Sequence, residues 1–238
     1  MSKYPNADPI ELAKFEALSA RWWDPNSEFK PLHDINPLRL GYINRFSNGV
    51  AEKSVVDVGC GGGLLAEGLS IRGAKVLGID LGESPLSVAE LHALESNIAV
   101  TYRHIAAEDL AQEMPESFEI VTCMELLEHV PNPAALVNAC ARLVRPGGWV
   151  FFSTLSRNVK SFLFAIIGAE YILGMLPKGT HRFDRFILPS ELASWARKAD
   201  LNVRDITGMS YDLFTQTYCL GKDSSVNYLM ACEKEVLI

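Results

Sequence analysis

The chain has 238 residues, 48% of them hydrophobic and 21% charged, with a formal net charge of −7, which supplies an ordinary apolar core without disulfides or structural metal. The negative balance argues against a broad phosphate-binding surface, and so against nucleic acid as a partner. Five cysteines with no CxxC pair, no signal-like apolar core in MSKYPNADPIELAKF and no run of 18 apolar residues set the expectation of a cytoplasmic protein without a spanning helix.

In chain order, DPIELAKFEALSARWWD reads as a helix, with Asp8 as cap, Pro9 in the first helical position and Glu11 completing a box-like start. NPLRLGYINRFS has the same opening, Asn36 then Pro37. Residues 1–50 are therefore expected to form a helical extension ahead of a domain over 51–238. Short β-rich runs then alternate with helical stretches. VVDVG, KVLGID, VTYRHIA, FEIVTCM and WVFFSTL read as strands; LLAEGLSIRG, SPLSVAELHALES and NPAALVNACARLV read as helices between them, and EDLAQEMPES as a polar stretch. This is the pattern of an α/β fold with a doubly wound, mostly parallel sheet. After an insertion over 157–188, PSELASWARKAD is a helix and LNVRDITG and VNYLMACEK are closing strands, for seven strands in all.

Ligands of such sheets sit beyond the carboxyl ends of the strands. The first strand runs into the loop of VVDVGCGGG, with glycines at 59, 61, 62 and 63. A dinucleotide fingerprint needs a third glycine where this chain has Leu64. Asp57, just ahead of the loop, would repel a pyrophosphate but suits an ammonium group. S-adenosylmethionine carries an ammonium, a carboxylate and no phosphate. Gly59 and Gly61 let the backbone approach it, and the following helix start can receive its carboxylate. Asp80 ends the second strand, where a carboxylate accepts both ribose hydroxyls. Glu108 and Asp109 lie past the third strand, where an adenine amino group can donate to one of them, and Met124 ends the fourth, where its side chain or backbone can face the adenosine.

MELLEHVPN then places Glu125, Glu128 and His129 together. Read as a helical turn, Glu125 lies beside both others. A phenolic acceptor is mostly protonated at neutral pH and needs a base; His129, with an ordinary pKa of ~6.5, suits the task, with Glu128 as the other candidate. Alternatively Glu125, Glu128 and His129 hold a magnesium or zinc ion that binds a catechol oxygen. Trp22, Trp23 and Phe29 either cover the donor and line the acceptor pocket or pack in the core. Tyr211, Phe214 and Tyr218 fall in a late loop and share that ambiguity.

DVGCGGG, the acid at Asp80, CMELLEHV and RPGG together resemble the class I S-adenosylmethionine-dependent methyltransferases. ARWWDPNSEFKPLHDINPLRLGYI, ELHALES, FFSTLSRN, AEYILGMLPKGTH and LGKDSSVNY are similar to stretches of the ubiquinone biosynthesis O-methyltransferases, across nearly the whole chain. The resemblance implies O-methylation of polyprenyl catechol intermediates at two steps, with other ubiquinone-biosynthesis enzymes as partners. It implies donor binding at Arg39, Gly59, Asp80 and Met124, and in some relatives a metal at Glu125, Glu128 and His129. Ser156, in TLSRN, departs from the asparagine expected there.

A polyprenyl tail lives in the bilayer. NVKSFLFAIIGAEYILGMLPKGTH is the most apolar stretch, with Lys178 and His181 at its end and Arg182 and Arg185 close behind. That composition suits an interfacial segment drawn to anionic lipid over 159–185, on the cytoplasmic face of the inner membrane, or a lid over the site, or a hairpin packed on the sheet. A methyltransferase acting on carbon or another small molecule, an NAD-dependent dehydrogenase and a non-catalytic S-adenosylmethionine-binding scaffold are the competing functions.

Overall fold

A computed structural model describes residues 4–157, 185–212 and 214–236. Most of the insertion expected at 157–188 lies outside these residues, as do Lys178, His181 and Arg182.

Two helices come first, α1 (Pro9–Leu18) and α2 (Lys30–Phe46), joined through a 3-10 turn at Ser19–Arg21. Asp8 caps α1 through a bond from the Ile10 amide, and Pro9 occupies its first turn. α2 starts earlier than the sequence suggests. Pro37 lies inside it, and Asn36 is not its cap but donates from Nδ2 to the Leu64 carbonyl at 3.0 Å. The fold overrides the local start signal because that side chain is used to tie α2 to the glycine loop.

The strands β1 (Ser54–Val58), β2 (Lys75–Asp80), β3 (Val100–His104), β4 (Phe118–Met124) and β5 (Val144–Leu155) are parallel. They are connected by α3 (Leu64–Ser70), α4 (Glu83–Glu95), α5 (Ala107–Glu113) and α6 (Pro133–Leu143). Beyond α7 (Pro189–Lys198) come β6 (Leu201–Asp212), β7 (Thr217–Gly221) and β8 (Asn227–Lys234), and β8 runs antiparallel to both β5 and β6. The order is β3-β2-β1-β4-β5-β8-β6-β7. The sheet thus has eight strands, not the expected seven: Tyr218 lies on β7, which pairs with β6 in a hairpin. Two further differences are local. The polar stretch EDLAQEMPES, residues 108–117, opens as part of the helix α5, and β5 begins at Val144, ahead of the expected WVFFSTL, so that Pro146-Gly147-Gly148 lies within it.

Buried side chains alternate between the two faces of the sheet. Val56, Val121 and Phe152 pack with α5, α6 and α7 on one face; Val55, Ile120 and Phe151 pack with α2 and α3 on the other. Chain direction reverses its spread between β1 and β4, so the carboxyl ends of these two adjacent strands form the switch point where ligands of such sheets bind. Among the described residues no helix is long and apolar enough to cross a membrane.

Candidate active site

At that switch point a cavity of about 1340 Å³ opens, lined by residues from α1, α2, the β1 loop and the ends of β2, β4 and β8. It exceeds the roughly 300–1,000 Å³ of ordinary small-molecule sites, so it has room for two ligands.

The glycine loop forms one wall. Gly59 and Gly61 both have positive φ, 71° and 51°. Trp22 lies directly on the loop: a Cβ at Gly61 would sit 2.2 Å from its ring, and one at Gly62 2.3 Å from it. The Trp22 ring stacks on Phe29 with centroids 4.1 Å apart. Trp23 donates from Nε1 to the Gly62 carbonyl at 2.9 Å and stacks flat on His92, 3.4 Å away. Of the aromatic residues named from sequence, Trp22 and Phe29 are buried and line the cavity, Tyr211 on β6 and Tyr218 on β7 line it too, Phe214 is exposed, and Trp23 braces the loop from behind.

Asp57 is buried below the loop and accepts a 2.6 Å bond from Thr122 Oγ1 on β4. Burial pushes its carboxyl up to about 7, against the pull of the Thr122 bond and the Arg39 charge. Arg39, on α2, is 4% exposed. Its Nη2 lies 3.2 Å from Glu125 Oε1, yet Nε and Nη2 find no hydrogen-bond acceptor among the described residues. A buried guanidinium with unused donors, facing a cavity, fits a ligand carboxylate. With Asp57 at hand for an ammonium, the two match the amino acid end of S-adenosylmethionine.

Asp80, the last residue of β2, accepts from the amides of Gly61 (2.9 Å) and Gly82 (2.8 Å). Burial raises its pKa, and these backbone bonds oppose the rise. A carboxylate has about four lone-pair sites, and the capacity that the backbone amides leave free can accept from a diol. Glu108 accepts from Asn6 Nδ2 at 2.7 Å, and Asn6 also receives the Asn132 amide at 2.7 Å. The chain ahead of α1 therefore bridges the β3 and β4 ends across the cavity. Met124 is buried and lines it.

Beyond β4 the expected helical turn is absent at Glu125. That residue adopts the left-handed region, φ 52°, and only Leu127–His129 form a 3-10 turn. The three candidate metal ligands consequently turn to different partners. Glu125 accepts from Ser153 Oγ at 2.7 Å, Glu128 from Thr154 Oγ1 at 2.7 Å, and His129 Nδ1 lies 2.9 Å from Glu11 Oε2. Among the described residues no group of three His, Cys, Asp or Glu side chains converges as a metal site. Glu125, Glu128 and His129 are the residues that would hold a metal by the resemblance, and here each is held by a different partner.

Their electrostatics suit proton handling. Burial, then the neighbouring Glu125 charge, lifts Glu128 to about 7. Burial alone would lower the His129 pKa, but the bond to Glu11 and the charges of Glu128, Glu11 and Glu125 outweigh it and raise it. The bond from His129, helped by Lys14, holds Glu11 down at about 2. Glu11 is the residue that sequence reading missed as a member of the site. It registers there only as part of a helix start, and nothing in the sequence connects it with a histidine 118 positions away.

A family model described as a methyltransferase domain matches residues 33–206. The chain is 62% identical over 231 residues to the ubiquinone biosynthesis O-methyltransferase of Dechloromonas aromatica, covering 97% of this chain and 99% of that one. It is 59% identical over 230 residues to the enzyme of that name from Pseudomonas syringae pv. tomato, with 97% and 99% covered. For the one from Nitrosomonas europaea the identity is 61% over 226 residues, with 95% and 96% covered. Among solved structures, the magnesium protoporphyrin IX methyltransferase of Synechocystis with bound SAM matches with a TM-score of 0.66 at 15% identity, covering 96% of this chain and 99% of that one. A SAM-dependent methyltransferase of Thermotoga maritima matches with a TM-score of 0.66 at 19% identity, covering 95% and 99%. The two structures share the fold. At near 60% identity along almost its entire length, the chain belongs to the family of ubiquinone biosynthesis O-methyltransferases, enzymes of the class I S-adenosylmethionine-dependent fold.

Proposed function

We propose that the chain transfers a methyl group from S-adenosylmethionine to a phenolic oxygen of polyprenyl catechol or demethylubiquinol intermediates in ubiquinone synthesis. One observation carries the reading. A single cavity joins a buried guanidinium with unused donors, beside the Asp57 carboxylate, to a carboxylate-flanked imidazole beyond β4.

When bound, the donor supplies a methyl group on a positively charged sulfur, already activated for in-line displacement. Arg39 takes its carboxylate and Asp57 its ammonium, while Gly59 and Gly61 admit the chain between them. Asp80 takes the ribose hydroxyls, Glu108 the adenine amino group, and Met124 walls the adenosine. The first 50 residues act as an extension that completes the site of the domain over 51–238. On the acceptor side, His129 Nε2 takes the hydroxyl proton. The freed oxygen pair forms the O–C bond as the C–S bond breaks, with its electron pair left on sulfur. Glu128, fixed by Thr154, places negative charge beside the imidazolium that results. A divalent metal, when bound, would be held by Glu125, Glu128 and His129 and would supply Lewis-acid help in deprotonating the catechol oxygen.

The membrane reading rests on sequence: the apolar run ahead of Lys178, His181 and Arg182 would meet anionic lipid and admit the prenyl tail. Arg185 does not join those bases, since it is paired with Asp8 at 2.7 Å. Full liposome binding by a folded variant lacking 160–178 would remove this part of the proposal. Contact with other enzymes of the pathway, on the cytoplasmic face of the inner membrane, belongs to the same reading.

The testing experiment is methyl transfer to a short-tailed polyprenyl catechol by metal-stripped protein, followed by restoring magnesium or zinc. An O-methylated product without added metal supports the His129 route. A product formed only with metal would mean that Glu125, Glu128 and His129 rearrange to bind it. No product in either arm, with donor bound, would favour the scaffold reading.

A further inference from the structure

In the proposed arrangement the donor's polar groups meet Arg39, Asp57, Asp80 and Glu108, none of them on β8. Yet the cavity reaches the start of that strand, where Asn227 lines it. In the order β1-β4-β5-β8 the strand lies two places beyond β4, about 10 Å across the sheet. Asn227 stands opposite Leu155 of β5 and Met209 of β6, so the three side chains share one face. It is the face on which α2 packs, because Met209 and Leu229, two positions after Asn227, belong to that core. The backbone here is held on both sides. The Val226 carbonyl receives the Ser156 amide at 2.8 Å. Tyr228 is fully buried and donates its hydroxyl to the Ile187 carbonyl at 3.0 Å.

Oδ1 of Asn227 is buried and has no hydrogen-bond partner among the described residues. An amide oxygen left in that condition costs free energy that a ligand's donor can recover. The other cavity-lining residues with such atoms are Trp22, Glu28 and Arg39, all on α2 or the segment ahead of it. Among the described residues, Asn227 is the one that the sheet contributes, from a strand with no donor-binding residue. Its neighbours Leu155 and Met209 have no hydrogen to donate from their side chains. The Ser210 hydroxyl is already engaged with Cys219 Sγ at 3.3 Å. A catechol, by contrast, brings two adjacent hydroxyls. The one that is methylated gives up its proton. The other keeps its proton and can donate a hydrogen bond.

We propose that Asn227 is a specificity-determining residue of the acceptor pocket: its Oδ1 accepts from the hydroxyl next to the one that is methylated. This rests on the reading of the acceptor as a catechol. It gives the pocket a reason to prefer a catechol to a plain phenol, since an analogue without the second hydroxyl leaves a buried acceptor unpaired.

The test compares wild type, Asn227→Leu and Asn227→Asp with a short-tailed polyprenyl catechol and with its monophenol counterpart, which lacks the neighbouring hydroxyl. Calorimetry reads the affinity of each for the S-adenosylhomocysteine complex, and binding of S-adenosylhomocysteine itself controls for an intact donor site. Methyl transfer to the catechol gives kcat/KM. Wild type should bind the catechol about 3- to 10-fold more tightly than the monophenol, the size of one hydrogen bond. N227L should erase that preference by weakening the catechol, and should lower kcat/KM by a similar factor. Asn227→Ala serves if N227L melts too low to assay. N227D keeps oxygen acceptors in the same place and should keep the preference. A merely structural role would weaken both acceptors alike. Equal affinity of wild type for the two phenols, or a preference undiminished in N227L, would overturn the proposal. So would a preference lost in N227D, because the amide would then be acting as a donor. No methylation of the catechol by wild type, with S-adenosylmethionine bound, would instead overturn the proposed function on which the role of Asn227 depends.

Discussion

Arg39 Nη2, from the middle of α2, lies 3.2 Å from Glu125 Oε1, on the left-handed residue that follows β4. Helix and strand end thus meet over the donor side of the cavity, and most of the guanidinium's hydrogen-bonding capacity is left for something else. Replacing Arg39 by Ala should raise the Kd for S-adenosylmethionine about 10- to 100-fold. That corresponds to losing a charged hydrogen-bond pair of ~1.5–3 kcal/mol. Lysine should recover only part, since it cannot present two parallel donors. Isothermal calorimetry checks both.

Asp57 gives a pH dependence of known sign. Its folded pKa is about 7 against an ordinary 3.8, so the folded protein holds a proton that the unfolded chain has released in that window. The contribution to stability is complete below about pH 4 and is lost as pH rises to about 7, at up to ~1.4 kcal/mol per pH unit. Denaturation of the donor-free protein at several pH values should show this slope in wild type and a shallower one in Asp57→Asn. Donor affinity should run the other way, improving through pH 7 as the carboxylate ionises to meet the ammonium.

Gly61 cannot carry a methyl group where it stands. A Cβ would lie 2.2 Å from the Trp22 ring, and its φ is 51°. Gly61→Ala should cost about 1–3 kcal/mol of stability from overpacking. It should also weaken donor binding, because the loop must move. Pairing it with Trp22→Leu should return part of the stability, and the double-mutant cycle measured by chemical denaturation would show the coupling.

Thr154 supports Glu128 through a 2.7 Å bond in a fully buried setting. Thr154→Val should destabilise by about 1–3 kcal/mol at pH 8, where the bond is to an ionised carboxylate. Because Glu128 titrates at about 7, the loss should shrink at pH 5. Equal losses at the two pH values would mean that Glu128 is not the group responding.

The fold was largely legible because alternating short apolar runs and helical stretches leave few other architectures. β7 was hidden because TYCLG is short, half exposed and lacks the apolar run of the central strands. On the donor side, Asp57, Gly59, Gly61, Asp80, Glu108 and Met124 sit around one cavity, as the rule for strand ends anticipates. Arg39 came only from resemblance, since a helical arginine carries no mark of burial. At the β4 end local reading failed for a specific reason: no glycine or asparagine marks the left-handed Glu125, so MELLEH reads as a helical turn where only Leu127–His129 form one. Glu11 shows the opposite gap. Its role depends on α1 folding back over the sheet, a long-range contact that no local pattern encodes.

Single-turnover transfer of a labelled methyl group to a short-tailed polyprenyl catechol, by wild type and by His129→Gln, tests the central claim most directly. The label should appear on a ring oxygen, and H129Q should be at least ~100-fold slower with donor binding unchanged. Label on a ring carbon, or an H129Q rate equal to wild type, would contradict it.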